Sequence, residues 1–353
     1  MSRKEKRRAD PSARPKILLV RLRRIGDVVM TTPSITALKE ALPQASLSYV
    51  IEEPYRRLVE GSPYLDRVII LPSRQGFSGL IRSAKQIRRE KYDAVIDFHG
   101  GPRAAFLTFF SGASLKIGYK LKYKSFIYDL RIPRSSGNGY SHSVENHAAL
   151  VRALGLTLPE PLPPLFLPQP RQEEKEKIDK FWAENRLGDA KVIIIHIGAG
   201  NEFRDWGAKN LAGLAGLLSR QAGVRVILVG SASDQGRAKE ILKNSRSPLL
   251  SLAGELNLIE LREVISRASL FVGTDSGPMH IAAATPTPIV ALFGPTLPEN
   301  FAPWRAEATL IEKELECRPC RQRHCLTEDF RCLRSIEPAE VYEACLKILP
   351  SLG

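Results

Sequence analysis

The residues best suited to chemistry fall in four short stretches. The first is Arg24-Ile25-Gly26-Asp27, directly after the apolar run Lys16 to Leu22. Gly26 permits a tight turn, and Asp27 falls at or near the start of the helix that follows. A carboxylate there can serve as a helix N-cap. It also lies at a strand's carboxyl end, where a general base for a hydroxyl nucleophile belongs. The second stretch is His196-Ile197-Gly198-Ala199-Gly200, continuing to Arg204 and Trp206. A loop containing Gly198 and Gly200 exposes backbone N–H groups to phosphate oxygens. Arg204 would add a charge-assisted contact to the same phosphate; the plain alternative is a strand–helix loop with a solvated Arg204. A dinucleotide fingerprint would need a third glycine at position 203, where Phe203 stands, which argues against a nicotinamide dehydrogenase.

The third stretch runs Gly273-Thr274-Asp275-Ser276-Gly277-Pro278-Met279-His280. Pro278 marks the start of a helix. Unpaired N–H groups around Ser276 and Gly277 would point at an anion, with His280 on the first turn in support. A second turn, Phe293-Gly294-Pro295-Thr296, follows at the same edge. The fourth stretch is Cys317-x2-Cys320-x4-Cys325-x6-Cys332, with His324 beside it and Arg318, Arg321, Arg323 and Arg331 interleaved. Four cysteines within sixteen residues is a metal-like density, although the spacing fits no common zinc pattern. Structural zinc or another soft metal is one reading; thiols that stay reduced or pair as disulfides are the other. Cys345 is expected in the core.

Strands must present these loops. Apolar runs at Lys16–Leu22, Leu47–Ile51, Val68–Leu71 and Ala94–Phe98 alternate with helical stretches, including one from Asp27 to Leu42. The alternation stops at residues 159–170, where six of twelve residues are proline, and then restarts at Val192–Ile197, Val224–Val229, Leu249–Leu252, Leu270–Val272 and Ile289–Phe293. Strand–helix alternation predicts parallel sheets with helices on both faces. The expected organisation is a basic tail (1–15), an α/β domain (16–158), a proline-rich linker (159–170), a second α/β domain (171–335) carrying the cysteine segment, and a C-terminal helix (336–353). The two Rossmann-like domains are expected to face each other across a cleft and to move about the linker.

Of the 353 residues, 52 are Lys or Arg and 38 are Asp or Glu, a net charge of +14. Most of the excess lies in the first half: residues 1–16 alone carry +5, and further cations cluster at Arg21–Arg24, Arg56–Arg57, Arg82–Lys91 and Lys116–Lys124. This implies an anionic partner; for 82–91, with apolar residues at helical spacing, a solvated helix face is the favoured alternative. No apolar run nears the ~20 residues that cross a bilayer. Met1 to Lys16 lacks the apolar core of a secretory signal, so a cytoplasmic location is expected, where disulfides are uncommon.

Together, R-x-R-R-I-G-D-x-x-x-T-T-P (Arg21 to Pro33), D-S-G-P-M-H-x-A-A-A (Asp275 to Ala284) and A-L-F-G-P-T (Ala291 to Thr296) resemble the ADP-heptose lipopolysaccharide heptosyltransferases, family 9 glycosyltransferases of the GT-B fold. The resemblance runs from about Lys16 to the C-terminus. It implies inverting transfer of heptose from ADP-heptose to the Kdo or heptose of a lipid A-linked inner core, with Asp27 as base. It places Arg204 on the donor phosphates, Asp275, Ser276, Gly277 and His280 along the donor side, and Asp234 near the ribose. Arg21, Arg24, Arg56, Arg57, Arg103 and Lys120 become candidates for meeting the anionic acceptor, and the tail for holding an anionic inner-membrane face. Transfer is expected to need no metal cofactor. The nearest rival is a GT-B transferase using another nucleotide sugar. A basic nucleic-acid reader is weaker, since the charge is dispersed and no aromatic-rich basic stripe accompanies it.

Overall fold

The computed structural model describes residues 14–74, 76–121, 125–134, 141–245 and 248–349. The basic tail, apart from Arg14 and Pro15, lies outside them. The chain divides into two compact units between Pro163 and Pro164. The proline-rich stretch has neither helix nor strand. Its Leu162, Leu165 and Leu167 are nevertheless buried, so it is packed chain and not a bare tether.

The first unit holds strands β1 (Lys16–Val20), β2 (Ser46–Glu52), β3 (Arg67–Leu71), β4 (Ala94–Asp97), β5 (Leu115–Tyr119) and β6 (Leu130–Ile132). Their order is β3-β2-β1-β4-β5-β6, and every pairing is parallel. β1 lies between β2 and β4, and Ile17 to Val20 are buried on both faces of the sheet, which is why the run reads as continuous apolar residues and not as an alternation. The helices are α1 (Ile25–Val29), α2 (Thr32–Ala41), α3 (Phe77–Arg89), α4 (Pro102–Phe110) and α5 (Ser143–Arg152). The single helix expected from Asp27 to Leu42 is two. Pro33 has no N–H and its ring would clash with the carbonyl four residues back, so the helix stops at Val29 and restarts with proline in its first turn. The hydroxyls of Thr31 and Thr32 donate to the carbonyls of Val28 and Val29, 2.7 Å each, across that break.

The second unit repeats the plan. Its strands are β7 (Lys191–His196), β8 (Val224–Val229), β9 (Leu250–Ser251), β10 (Leu270–Thr274), β11 (Ile289–Phe293) and β12 (Ala308–Glu312), in the parallel order β12-β11-β10-β7-β8-β9. Its helices are α6 (Gln172–Glu184), α7 (Ala208–Leu218), α8 (Gln235–Asn244), α9 (Leu258–Ser266), α10 (Gly277–Ala282), the short α11 (Pro298–Phe301) and α12 (Arg331–Arg334), and α13 (Pro338–Ile348). Trp206 is buried in the core formed by β7, β8, β10, α7 and α13, and its indole N–H donates to the carbonyl of Ile336 at 2.8 Å.

In each sheet the chain reverses its direction of travel beside the first strand. Right-handed crossovers therefore use both faces of the sheet: α2 packs with α5 on one face of the first sheet, α3 with α4 on the other. The reversal leaves a crevice at the carboxyl ends of β1 and β4, and another at those of β7 and β10. Those ends carry Asp27, the glycine loop after His196, and Asp275.

Beside the first crevice Gly118 has no room for a side chain. A Cβ there would run into the ring of Tyr128, whose hydroxyl donates to buried Asp97 at 2.7 Å. Gly118→Ala should therefore lower stability by about 1–3 kcal/mol through overpacking. Urea unfolding of the two proteins checks this; equal midpoints would show that the ring can shift freely.

Candidate active site

In the first unit the organising group is Arg21, one residue past β1. Its Nη2 lies 2.5 Å from Oδ2 of Asp27, its Nη1 donates to the carbonyl of Phe98 at 2.6 Å, and its Nε donates to the carbonyl of Arg23 at 3.1 Å. The Arg21 side chain is 6% exposed and that of Asp27 38%. The guanidinium thus fastens the exit of β1 to the exit of β4 and leaves one carboxylate edge in solvent. Asp27 is the third residue of α1, whose N-cap is Arg24. Its oxygen accepts from the Arg24 N–H only at 3.5 Å, a long contact, so capping is the lesser of its interactions. Burial opposes ionisation of Asp27, but the charge and hydrogen bond of Arg21, helped by His147 and the Arg24 N–H, outweigh it. The carboxyl is held below its ordinary 3.8.

A second carboxyl at the same edge goes the other way. Asp97 accepts from the N–H groups of His99 and Gly100 at 2.8 Å each and from Tyr128, yet complete burial raises its pKa. His147, buried on α5, lies 2.7 Å from the Tyr119 hydroxyl through Nδ1 and edges onto Phe98. Burial, then the Arg21 charge, pushes its pKa far down, and the same two causes bring His99 to about 4. Both imidazoles are neutral at pH 7, so Asp27 is the solvent-reaching ionised group of this cluster.

In the second unit Arg204, on the 3-10 turn after the glycine loop, reaches across to β10. Its Nη1 donates to the carbonyl of Asp275 at 3.1 Å and lies 3.3 Å from that residue's Oδ2. Asp275 is buried, accepts from the Thr296 hydroxyl at 2.6 Å, and has Oδ1 3.8 Å from Nε2 of buried His280. Ser276 Oγ sits 3.4 Å from Nδ1 of His196, whose pKa burial lowers to about 4. Asp234 lies across the glycine loop: a Cβ on Gly198 would stand 2.7 Å from its Oδ2, and Ser231 donates to that oxygen from both N–H and hydroxyl. Gly200 is exposed, with open space where a side chain would be. Arg204, Asp275, Ser276 and His280 therefore form one connected group with Gly277 next to it, and Gly198 and Asp234 a neighbouring one through His196. Helix α10 spans only six residues, so the anion attraction expected of its N-terminus is small and the fixed charge of Arg204 dominates.

The basic candidates of the first unit separate by their partners. Arg21 is spent on Asp27 and two carbonyls, so the substrate-facing position expected for it is taken up by an internal one. Arg103 likewise donates to Glu52 at 2.6 Å and to the carbonyls of Pro72 and Ser73 at 3.1 Å. Arg56 pairs with Glu53 and Glu60, and Arg57 with Glu60, at 3.6–4.0 Å on their own turn. Arg24 and Lys120 are exposed.

Sequence reasoning missed the brace made by the cysteine segment. Gln322 accepts from Arg204 Nε at 3.1 Å and from Asn201 at 3.0 Å; Arg318 donates to the carbonyl of Thr296 at 3.0 Å; Cys320 N–H donates to that of Pro295 at 3.1 Å. Phe330 meets Phe203 edge-on at 5.3 Å. Cys317, Cys320, Cys325 and Cys332 line one cavity with His324, and all are free thiols. Burial, then the neighbouring cysteines, raise Cys332 to about 11. The four share a cavity without forming a ligand set: among the described residues no three His, Cys, Asp or Glu side chains are grouped to hold a metal. Also missed was the bidentate pair Arg237–Asp205, at 2.9 and 2.8 Å, which secures the loop leading from Arg204 to Trp206.

Comparison with known proteins bears on this site. The model of glycosyltransferase family 9 (heptosyltransferase) matches residues 80–330. Lipooligosaccharide heptosyltransferase 2 of Haemophilus influenzae is 30% identical over 311 residues, 84% of this chain and 88% of that protein. Among solved structures, a family 9 glycosyl transferase from Veillonella parvula superposes with a TM-score of 0.83 at 23% identity, covering 96% of this chain and 98% of that one. The ADP-heptose LPS heptosyltransferase II of E. coli does so at 0.77 and 25% identity, covering 95% and 99%.

The pairing of Arg21 with Asp27 makes a pH-dependent prediction. A carboxyl with a depressed folded pKa stabilises the fold above its unfolded pKa, and that contribution fades as pH falls through the folded value. Arg21→Gln should raise the pKa of Asp27, and its stability deficit at pH 7 should shrink as the pH drops below 3.8. Carboxyl carbon-13 titration and urea melts at both pH values measure this. A titration of Asp27 unchanged by the substitution would mean that Arg21 does not hold its charge.

Proposed function

Because the chain belongs to glycosyltransferase family 9, the heptosyltransferases, and is thus a glycosyltransferase of lipopolysaccharide biosynthesis, we propose that it transfers heptose from ADP-heptose to the Kdo or heptose of a lipid A-linked inner core. The names of its relatives support that donor and acceptor class. The observation that carries the mechanism is the Arg21–Asp27 pair, a carboxylate kept ionised by a buried guanidinium at a strand's carboxyl end.

Transfer with inversion forms a bond from the acceptor oxygen to the anomeric carbon as the bond from that carbon to the ADP oxygen breaks. The acceptor proton goes to Asp27, and the bonding pair leaves with ADP. A low pKa makes Asp27 a weak base in the ground state. The hydroxyl becomes strongly acidic only as its oxygen bonds to the electron-poor carbon, so a carboxylate that is always ionised and correctly aimed suffices. On the donor side Arg204 is the fixed cation. Its Nη1 and Nε are held by Asp275 and Gln322, while Nη2 donates no hydrogen bond among the described residues. A preorganised charge offsets the negative charge growing on the departing diphosphate. We assign Ser276, Gly277 and His280 to the support of that site and Asp234 to the ribose. Arg24 and Lys120, exposed and on the first unit, remain as contacts for the anionic acceptor. No divalent ion is required in this scheme, so chelator should leave the rate unchanged. The acceptor's lipid anchor places the enzyme at the cytoplasmic face of the inner membrane; no described helix is long and apolar enough to cross a membrane.

Two substitutions separate the two roles. Asp27→Asn, which preserves size and capping ability, should lower kcat roughly 10²–10⁴-fold with ADP affinity nearly unchanged. Arg204→Ala should weaken ADP binding about tenfold or more, the loss expected of a charge-assisted contact. Calorimetric titration with ADP, UDP, GDP and CMP, alongside rates with ADP-heptose, reads both. A near-wild-type rate for Asp27→Asn removes it from the mechanism, and preference for another nucleotide overturns the donor assignment.

A further inference from the structure

The first unit exposes an aromatic face that catalysis does not use. Phe77 at the start of α3 is 69% exposed, and Phe109 and Phe110 at the end of α4 are 49% and 42% exposed. They are not scattered: Phe77 edges onto half-buried Phe106 at 5.8 Å, Phe106 tilts against Phe110 at 4.6 Å, and Phe110 meets Phe109 at 5.0 Å. The rings thus form one strip over the packed pair α3–α4. Another, Phe126, 73% exposed, stands on the 3-10 turn beside α4. Exposed apolar strips of this kind mark docking surfaces.

The charge around the strip identifies the occupant. Helix α3 carries Arg82, Lys85, Arg88 and Arg89 and no acidic residue. All four are exposed, and the stem of Arg88 lies along Gly112, two residues beyond Phe110. Large apolar rings flanked by cations, on a surface helix with an apolar inner face, match the interface of an anionic bilayer, where rings enter the headgroup region and cations meet phosphates. A second copy of the chain fits less well. A two-fold dimer would bring the strip against itself and set the cations of α3 against one another.

We propose that the α3–α4 face, through Phe77, Phe109 and Phe110 and the cations of α3, docks on an anionic phospholipid surface. It rests on the reading of a lipid-linked acceptor and names the surface that would bring the enzyme to it. The phenylalanines do not belong to the Asp27 cluster, so docking and catalysis can be measured apart.

The test is co-sedimentation of the full chain with vesicles of phosphatidylcholine alone or containing phosphatidylglycerol. Wild type should bind the anionic vesicles at least tenfold better, and less so at high salt. Phe77→Ser combined with Phe109→Ser should cut that binding about tenfold or more. Replacing Arg82 and Lys85 by Gln should cost roughly fivefold per cation. Neither change should alter the melting temperature greatly or the rate on a lipid-free core acceptor. Vesicle binding by the phenylalanine variant equal to wild type would overturn the proposal, because that variant keeps the basic tail. So would indifference of the wild type to phosphatidylglycerol, or a wild-type dimer in sedimentation equilibrium that the variant loses. Loss of vesicle binding with transfer intact upholds docking. Failure of transfer by the wild type, with vesicle binding intact, would strike the proposed function and not this surface.

Discussion

A guanidinium buried at the end of a central strand sets much of the geometry of the first unit. Arg21 could not be buried there without partners, since an uncompensated buried charge costs several kcal/mol. It finds them in Asp27 and in carbonyls at the exits of β1 and β4. Each partner gains position in turn. The two exit loops are tied together, α1 is fixed against the strand it leaves, and Asp27 is left with one side toward solvent and its charge assured. The raised pKa of Asp97 and the lowered pKa values of His99 and His147 arise in the same enclosed environment. Burial suppresses the charged form of each, and Asp27 escapes because it has the guanidinium.

Topology explains why both units place their chemistry where they do. Each sheet begins in its middle, goes one way, and then returns to build the other side. The crevice at the reversal is a consequence of right-handed crossovers, whatever the loops contain. The loops then specialise it. After β1 the chain supplies a carboxylate; at the ends of β7 and β10 it supplies an arginine, a buried aspartate and two buried histidines. The group around Arg204 and Asp275 is stiffened from outside the sheet by the cysteine segment, whose Gln322 and Arg318 grip Arg204 and the Thr296 turn.

The central strands were legible because burial on both faces writes a continuous apolar run: β1, β2, β7, β8 and β11 fall within a residue or two of expectation. Three strands toward the sheet edges, β5, β6 and β12, were not. Leu115–Tyr119, Leu130–Ile132 and Ala308–Glu312 are partly exposed, so they mix polar and apolar residues without strict alternation. The break between α1 and α2 was readable in Pro33 and was passed over. Among the site residues, Asp27, Arg204 and Asp275 stand out by type and by their place after apolar runs. His196, Thr296 and Gln322 do not, since their roles depend on partners 80, 21 and 118 residues away. The cysteines were noticed for their sulfur, whereas the residues between them make the contacts that matter to the site.

Charge shows the same limit most clearly. A net charge of +14 points to an anionic partner, but the sum does not say which cations face it. Arg21 and Arg103, beside the loops and attractive as substrate contacts, are consumed by Asp27, Glu52 and backbone carbonyls. Their contacts hold other groups in place. Helix α3, whose cations read in sequence as a solvated face, carries its charge beside exposed phenylalanines, a combination visible only once α3 and α4 lie side by side. An arginine's role is decided by its first few ångströms of surroundings. Where a carboxylate and carbonyls engage every nitrogen of the guanidinium, as at Arg21, the cation is structural; where part of the group is left over, as at Arg204, or the side chain stands exposed beside exposed rings, it is available to a partner.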